Sequence, residues 1–82
     1  MLGIAVDLND AIRACRAGAF IRDESGTMKP GWKVKFVPSA LGLEGTFGYV
    51  NPKGEDAHRM VFRDEHRASW QWRTVPSEYP NE

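Results

Sequence analysis

The sequence predicts an α+β domain in which one N-terminal helix packs on a small antiparallel sheet of about four strands. An apolar stripe at helical spacing comes first, formed by Leu8, Ala11, Ile12 and Cys15. After Gly18 the pattern changes to short runs in which apolar and polar residues alternate, which is typical of strands. Because so short a helix is not stable alone, its apolar stripe needs the sheet as a partner.

The predicted helix spans Asp7–Ala17, and both of its ends carry sequence signals. Asp7 can cap the first turn, and the carboxylate of Asp10 suits the positive N-terminal end of a helix. Arg16 favours the last turn, and Gly18 can take the left-handed conformation that closes a helix.

Strand-like runs follow the helix at Ala19–Arg22, Trp32–Val37, Thr46–Val50, Ala57–Phe62 and Ser69–Val75. In the clearest run, Trp32, Val34 and Phe36 predict an apolar face. Lys33 and Lys35 alternate with them, so the opposite face of that strand is predicted to be wet.

The segments between these runs are predicted to be loops. Leu41 and Leu43 are expected to pack inward from theirs, and Asn51–Gly54 has the composition of a hairpin turn. Arg63–Ala68 is expected to form a surface turn or one helical turn. The tail Pro76–Glu82 has no apolar pattern and is expected to fray.

Residues 1–82 are predicted to form one domain with a thin core. Four Phe, three Trp and two Tyr exceed what such a core needs, so we expect a homodimer or a higher homo-oligomer. Eleven basic side chains balance eleven acidic ones, which argues against a domain that binds duplex DNA.

The sequence favours a cytoplasmic protein that neither spans nor enters a membrane. No apolar run approaches the roughly 20 residues of a membrane span, and the first residues, MLGIAV, lack the basic region of a signal peptide. The single cysteine, Cys15, lies on the apolar stripe of the helix and is expected to be a small buried hydrophobe.

No residue pattern predicts catalysis, a metal or a cofactor. His58 and His66 are eight residues apart without a Cys pair between or beside them, so both are expected to face solvent rather than bind zinc. The serines lack the strand–turn–helix context of an activated nucleophile. We therefore expect a protein that is not an enzyme.

A set of aromatic and basic residues remains, namely Trp32, Trp70, Trp72, Arg22, Arg67 and Arg73. Flat indole faces can stack a nucleobase, and guanidinium groups can hold phosphates through paired hydrogen bonds. The alternative is that all three tryptophans belong to the core or to a subunit contact.

The segment DLNDAIRACRAGAFIR, at residues 7–22, resembles the opening of the Thoeris anti-defence 2 family of small phage proteins. That opening has the form F-G-E-A-(I/L)-x-x-L-(K/R)-x-G-x-x-(V/I)-x-R, and its final Arg corresponds to Arg22. The run that ends in Val37 and Pro38 is similar to the family's next strand.

Near its end the family has Ala-x-Asp-Trp-x-(V/I)-(V/I), and Ser69–Val75 stands in a similar place, with Trp72 on the family's Trp. A tryptophan in a Gly-Trp-Asn-Gly loop of the family has no counterpart here. Trp32, at the far end of the corresponding loop, is expected to replace it as a stacking platform. The other candidate ligand-binding residues are Arg22, Trp70, Trp72 and Arg67.

The resemblance implies a phage homo-oligomer in the host cytoplasm that captures a cyclic ADP-ribose signal of a bacterial immune system without cleaving it. One relative inhibits CRISPR effectors, so the alternative partner is a bacterial immune effector protein. A structural or housekeeping protein of the phage is a third possibility. For the site, the resemblance places Arg22 at the family's Arg, where it would hold the diphosphate. We expect Arg22→Ala to weaken ligand binding while leaving the fold intact.

Overall fold

Five antiparallel strands form one sheet, and the N-terminal helix packs across it in the computed structural model, which describes residues 4–41 and 44–80. The elements in chain order are α1 (Leu8–Arg16), β1 (Phe20–Asp23), β2 (Lys33–Val37), β3 (Thr46–Val50), β4 (Asp56–Met60), α2 (Asp64–Arg67) and β5 (Trp72–Val75). The predicted α+β class is confirmed, and the prediction of about four strands falls one short.

Helix α1 begins and ends where its sequence signals predict. The Asp7 carboxylate accepts a hydrogen bond of 3.1 Å from the backbone N–H of Asp10, which satisfies one of the free donors of the first turn. Ala17 is the C-cap, and Gly18 follows with φ +112°, a conformation that favours glycine. The helix is one residue shorter at each end than the prediction because Asp7 and Ala17 are its caps.

The order of strands in the sheet is β4-β3-β2-β1-β5, so β1 lies between β2 and β5. Ile21 of β1 is opposite both Val34 and Thr74, and the chain adds β2, β3 and β4 outward as neighbours. The last strand returns to the other side of β1. It begins at Trp72 rather than at Ser69 as predicted, and its edge pairs with Val6.

The core lies between α1 and the sheet, and its buried members are Leu8, Ala11, Cys15, Ile21, Met28, Val34, Met60 and Trp72. Trp72 is fully buried, and its indole N–H donates a 2.9 Å hydrogen bond to the His66 carbonyl oxygen. Cys15 is buried as predicted, and this burial raises the pKa of its thiol to about 12.

The C-terminal segment covers the opposite face of the sheet at Lys33. The Lys33 ammonium donates to the carbonyl oxygens of Ser77 and Tyr79 and lies 4.4 Å from the centroid of the Phe20 ring. Burial lowers the pKa of Lys33, and the negative charge of Glu78 opposes this shift.

Two sequence expectations differ from this arrangement. Lys33 is buried rather than on a wet face, because backbone carbonyls replace its water ligands. The segment from Pro76 to Pro80 packs against the sheet through those same contacts, whereas fraying is the sequence expectation; residues 81–82 lie outside the described part.

The loop before β3 also differs from its prediction. Leu41 is exposed rather than packed inward, since no described apolar surface lies against it. Leu43 lies outside the described residues. In the parts of the chain that the structure describes, no helix is long and apolar enough to cross a membrane.

Gly45 provides a test of how closely the β2–β3 corner is packed. A Cβ atom at this position would meet the Val37 carbonyl oxygen and come within 2.7 Å of the Phe36 ring. Gly45→Ala should therefore destabilise the fold by about 1–3 kcal/mol, as overpacking does. At Gly48 the nearest atom to an added Cβ is 3.9 Å away, which makes Gly48→Ala the matched control.

Thermal unfolding measures both variants. Gly48→Ala should melt like the parent or slightly higher, while Gly45→Ala should lose about 4–8 °C per kcal/mol. Equal melting temperatures for the two variants would contradict the described packing.

Candidate ligand-binding groove

Three rings come together at one end of the sheet, one just before β2 and the other two in β3 and β4. Trp32 immediately precedes β2, Tyr49 lies in β3, and His58 lies in β4. The ring centroids are 5.9 Å apart for Trp32 and Tyr49, 4.9 Å for Tyr49 and His58, and 6.1 Å for Trp32 and His58. The strand register that pairs Val34 with Tyr49 produces this cluster.

Two adjoining cavities open beside these rings. The first, of about 180 Å³, is lined by Trp32, Tyr49, His58, Thr27, Met28 and Lys29. The second, of about 300 Å³, is lined by Thr27, Tyr49, His58, Arg59, Val61, Arg63, Glu65 and His66. Because Thr27, Tyr49 and His58 border both, we call the two cavities together the aromatic groove.

Positive charge predominates along the aromatic groove. The Lys29 ammonium lies 5.9 Å from the centroid of the Trp32 ring, and Arg59 and Arg63 line the second cavity, where Glu65 is the one acidic lining residue. Among residues 4–41 and 44–80, no ion pair is formed by Lys29, Arg59 or Arg63. The groove thus combines flat rings with cations that form no ion pair among the described residues.

Tyr49 lines both cavities. Burial raises the pKa of Tyr49; the nearby Arg63 guanidinium opposes this shift, and the Glu65 carboxylate adds to it. The phenol is therefore protonated at neutral pH and keeps its hydrogen-bond donor.

The loop from 24 to 31 forms one wall of the groove, and Arg22 holds it in place. The Arg22 guanidinium donates 2.8 Å hydrogen bonds to the carbonyl oxygens of Lys29 and Trp32 and a 2.9 Å hydrogen bond to Glu24. Its residue is only 7% exposed, and its guanidinium lies 5.7 Å from the centroid of the Tyr79 ring. Arg22 is thus positioned to fix the ends of the wall.

Asp23 fixes the other part of the same loop. Its buried carboxylate accepts hydrogen bonds from the hydroxyls of Ser25, Thr27 and Ser69 and from the Ser25 backbone N–H. Burial would raise the pKa of Asp23, but these hydrogen bonds outweigh burial and hold the pKa below its usual value. Thr27 borders both cavities, so this carboxylate sets the position of a groove residue.

His66 is buried at the α2 end of the groove, which corrects the expectation that it faces solvent. It is 3% exposed because its ring packs against Phe62 and Trp72. Its Nδ1 accepts a 3.0 Å hydrogen bond from the Arg63 backbone N–H. Its Nε2 is buried and has no hydrogen-bond partner among the described residues. His58 is exposed, as predicted.

Of the five residues predicted to bind ligand, Trp32 alone lines the aromatic groove. Arg22 lies behind the wall, and its guanidinium donates hydrogen bonds to backbone carbonyl oxygens of the protein. We therefore expect Arg22→Ala to destabilise the fold rather than to leave it intact. Trp72 belongs to the core and presents no surface to a ligand.

The remaining two predicted residues lie elsewhere. Trp70 is 70% exposed in the connection between α2 and β5, so it does not share a strand face with Trp72. Arg67 lines a separate cavity of about 260 Å³ with Asp7, Leu8 and Asn9 at the start of α1. Neither Trp70 nor Arg67 lines the groove that Trp32 lines.

Sequence reasoning missed the groove residues Lys29, Tyr49, Arg59 and Arg63 and gave no binding role to His58 or His66. A signal was present for two of them. In the predicted hairpin, Tyr49 precedes the Asn51–Gly54 turn by two residues and His58 follows it by four. Pairing of the two strands, with a register shift between Gly48 and Val50, places the two rings 4.9 Å apart. Their proximity to Trp32 depends on the next strand as well.

Comparisons with protein-family models, with curated proteins and with solved structures find no match to this chain. Nor do the described residues contain a group of three or more His, Cys, Asp or Glu side chains that could hold a metal ion. The aromatic groove is therefore the basis for the functional argument.

Arg22→Ala should destabilise the protein by about 2 kcal/mol or more, because it removes charge-assisted hydrogen bonds from buried carbonyl oxygens. Arg13→Ala is the control and should change stability little, because the one side-chain contact of Arg13 within the described residues is an exposed ion pair with Asp10. Urea unfolding measures both variants. If Arg22→Ala is as stable as Arg13→Ala, Arg22 does not hold the wall.

The lowered pKa of Asp23 predicts a pH-dependent contribution to stability. A carboxyl with a depressed pKa in the folded state stabilises fully above its ordinary pKa of about 3.9, and this stabilisation is lost as pH falls through the folded-state pKa. Asp23→Asn should lack the contribution. Urea unfolding between pH 7 and pH 2.5 measures the parent minus variant difference in unfolding free energy.

That difference should stay constant down to about pH 4 and shrink below it. Taking the difference removes the effects of the other carboxylates. A difference that grows as the pH falls from 7 toward 4 would mean that the pKa of Asp23 is raised, not lowered.

Proposed function

We propose that this protein binds a small nucleotide in the aromatic groove and sequesters it without cleaving it. The observation that carries the proposal is the proximity of Trp32, Tyr49 and His58 to the free charges of Lys29, Arg59 and Arg63. A nucleotide joins a flat base to anionic phosphate, and this groove offers a partner for each.

The base is best matched to the first cavity. Two aromatic rings and an imidazole border it, and base–aromatic stacking contributes about 1–3 kcal/mol per base. The phosphate is best matched to the second cavity, where arginine side chains can make charge-assisted hydrogen bonds to its oxygens. The first cavity, of about 180 Å³, is smaller than a typical ligand site, and the second, of about 300 Å³, is at the lower end of the typical range, so the ligand would span both.

A cyclic ADP-ribose-type signal is the ligand that we propose, because the resemblance in residues 7–22 implies it and its adenine and diphosphate suit the two cavities. The protein would act by lowering the free concentration of that signal. We also propose a homo-oligomer, which light scattering at micromolar concentration tests directly. A mass equal to one chain would exclude it.

Inhibition of a bacterial immune effector protein is the second candidate function, and one observation favours it. Trp70 is 70% exposed and lies outside the groove, and tryptophan is enriched among the residues that dominate protein–protein interfaces. In that case Trp70→Ala would abolish inhibition of the effector, and groove substitutions would leave the inhibition unchanged.

Calorimetric titration with cyclic ADP-ribose tests the first proposal. His58→Ala should weaken binding by roughly 5- to 100-fold through lost stacking, and Arg63→Ala by roughly tenfold or more through a lost charged contact. Arg67→Ala and Trp70→Ala are matched controls outside the groove and should bind like the parent.

Release of the ligand supplies the second measurement. After heat denaturation of the complex, chromatography of the supernatant should recover cyclic ADP-ribose unchanged. Cleavage products would refute sequestration. Absence of binding to the parent, or equal binding by the groove and control variants, would refute the nucleotide site.

A further inference from the structure

His66 lies at the α2 end of the aromatic groove, next to the arginines proposed to meet phosphate. Resting on the proposed function, we infer that His66 is a specificity-determining residue that donates its Nε2–H to a phosphate oxygen of the bound nucleotide. Three observations on the ring support this role: its fixed proton position, its missing partner and its location.

The proton position follows from the hydrogen bond at Nδ1. That nitrogen lies 3.0 Å from the Arg63 backbone nitrogen, which can donate a hydrogen bond but cannot accept one. An imidazole nitrogen that accepts a hydrogen bond carries no proton, so the neutral ring holds its proton on Nε2. The Nε2–H group of His66 is therefore a hydrogen-bond donor, not an acceptor.

The donor has no partner within the described protein. Both the residue and the Nε2 atom are buried, and a buried donor left unsatisfied carries a free-energy cost. An acceptor that enters the second cavity would remove that cost. Because Nε2 itself is buried, the exposed side chains of Arg63 and Glu65, which line the same cavity, would have to shift for the acceptor to reach it.

A phosphate oxygen is the acceptor that the surroundings favour. Arg59 and Arg63 bring positive charge to the cavity, which suits an anion better than a neutral carbonyl or hydroxyl group. The arginines attract any anion, whereas the fixed ring adds a directional donor. His66 would therefore distinguish a nucleotide from its phosphate-free nucleoside.

The His66→Asn variant separates this role from the structural one. The Asn Oδ1 atom can take the place of Nδ1 and accept from the Arg63 N–H, while the Nε2 donor is removed. Calorimetry with cyclic ADP-ribose and with adenosine, on the parent and on His66→Asn, compares a phosphorylated and a phosphate-free probe. We expect roughly tenfold weaker binding of cyclic ADP-ribose by the variant and unchanged binding of adenosine.

Nitrogen-15 spectra of the parent test the same inference without a substitution. The His66 ring should give the pattern of a neutral imidazole protonated on Nε2, and this signal should move with cyclic ADP-ribose but not with adenosine. If the parent binds, three results would overturn the role of His66 and leave the nucleotide site standing. They are an equal loss of affinity for both probes in His66→Asn, no loss of affinity for either probe, and a ring protonated on Nδ1. A parent that binds neither probe would overturn the proposed function and this inference together.

Discussion

The buried carboxylate of Asp23 is the constraint on which the arrangement of this protein depends. It ends the strand that lies between β2 and β5, and its oxygens accept from Ser25 and Thr27 on one side and from Ser69 on the other. A carboxylate buried without these donors would be expelled or protonated. One side chain thus ties the loop beside the groove to the segment that leads into the last strand.

The groove is a consequence of how the sheet extends beyond the helix. Helix α1 packs mainly on β1, β2 and β5, so the rings of Tyr49 and His58, which lie in β3 and β4, are beyond the part of the sheet that it covers. In most small domains such rings would complete the core. Here the loop from 24 to 31 stands beside them instead, and the cavity between loop and sheet stays open.

Local patterns in the sequence were sufficient for the helix and for most of the strands. The capping residues of α1 and the alternation in β2 act within a few residues, so their effects can be inferred without the fold. The burial of Lys33 could not be inferred this way, because its carbonyl partners lie more than forty residues later in the chain. The same limit applies to the site. The aromatic and basic composition predicts Trp32 as a site residue. Tyr49 joins the site only through strand pairing, and His66 only through the packing of α2.

The three tryptophans occupy three different environments, and this has an optical consequence. The buried indole of Trp72 should emit at shorter wavelength than that of Trp70, which is largely in water. Trp32 borders the groove within 6.1 Å of His58, close enough for a neighbouring ring to alter its emission. Single-tryptophan versions of this chain would therefore report separately on the core, on the exposed surface and on occupancy of the groove, using no label other than the protein's own residues.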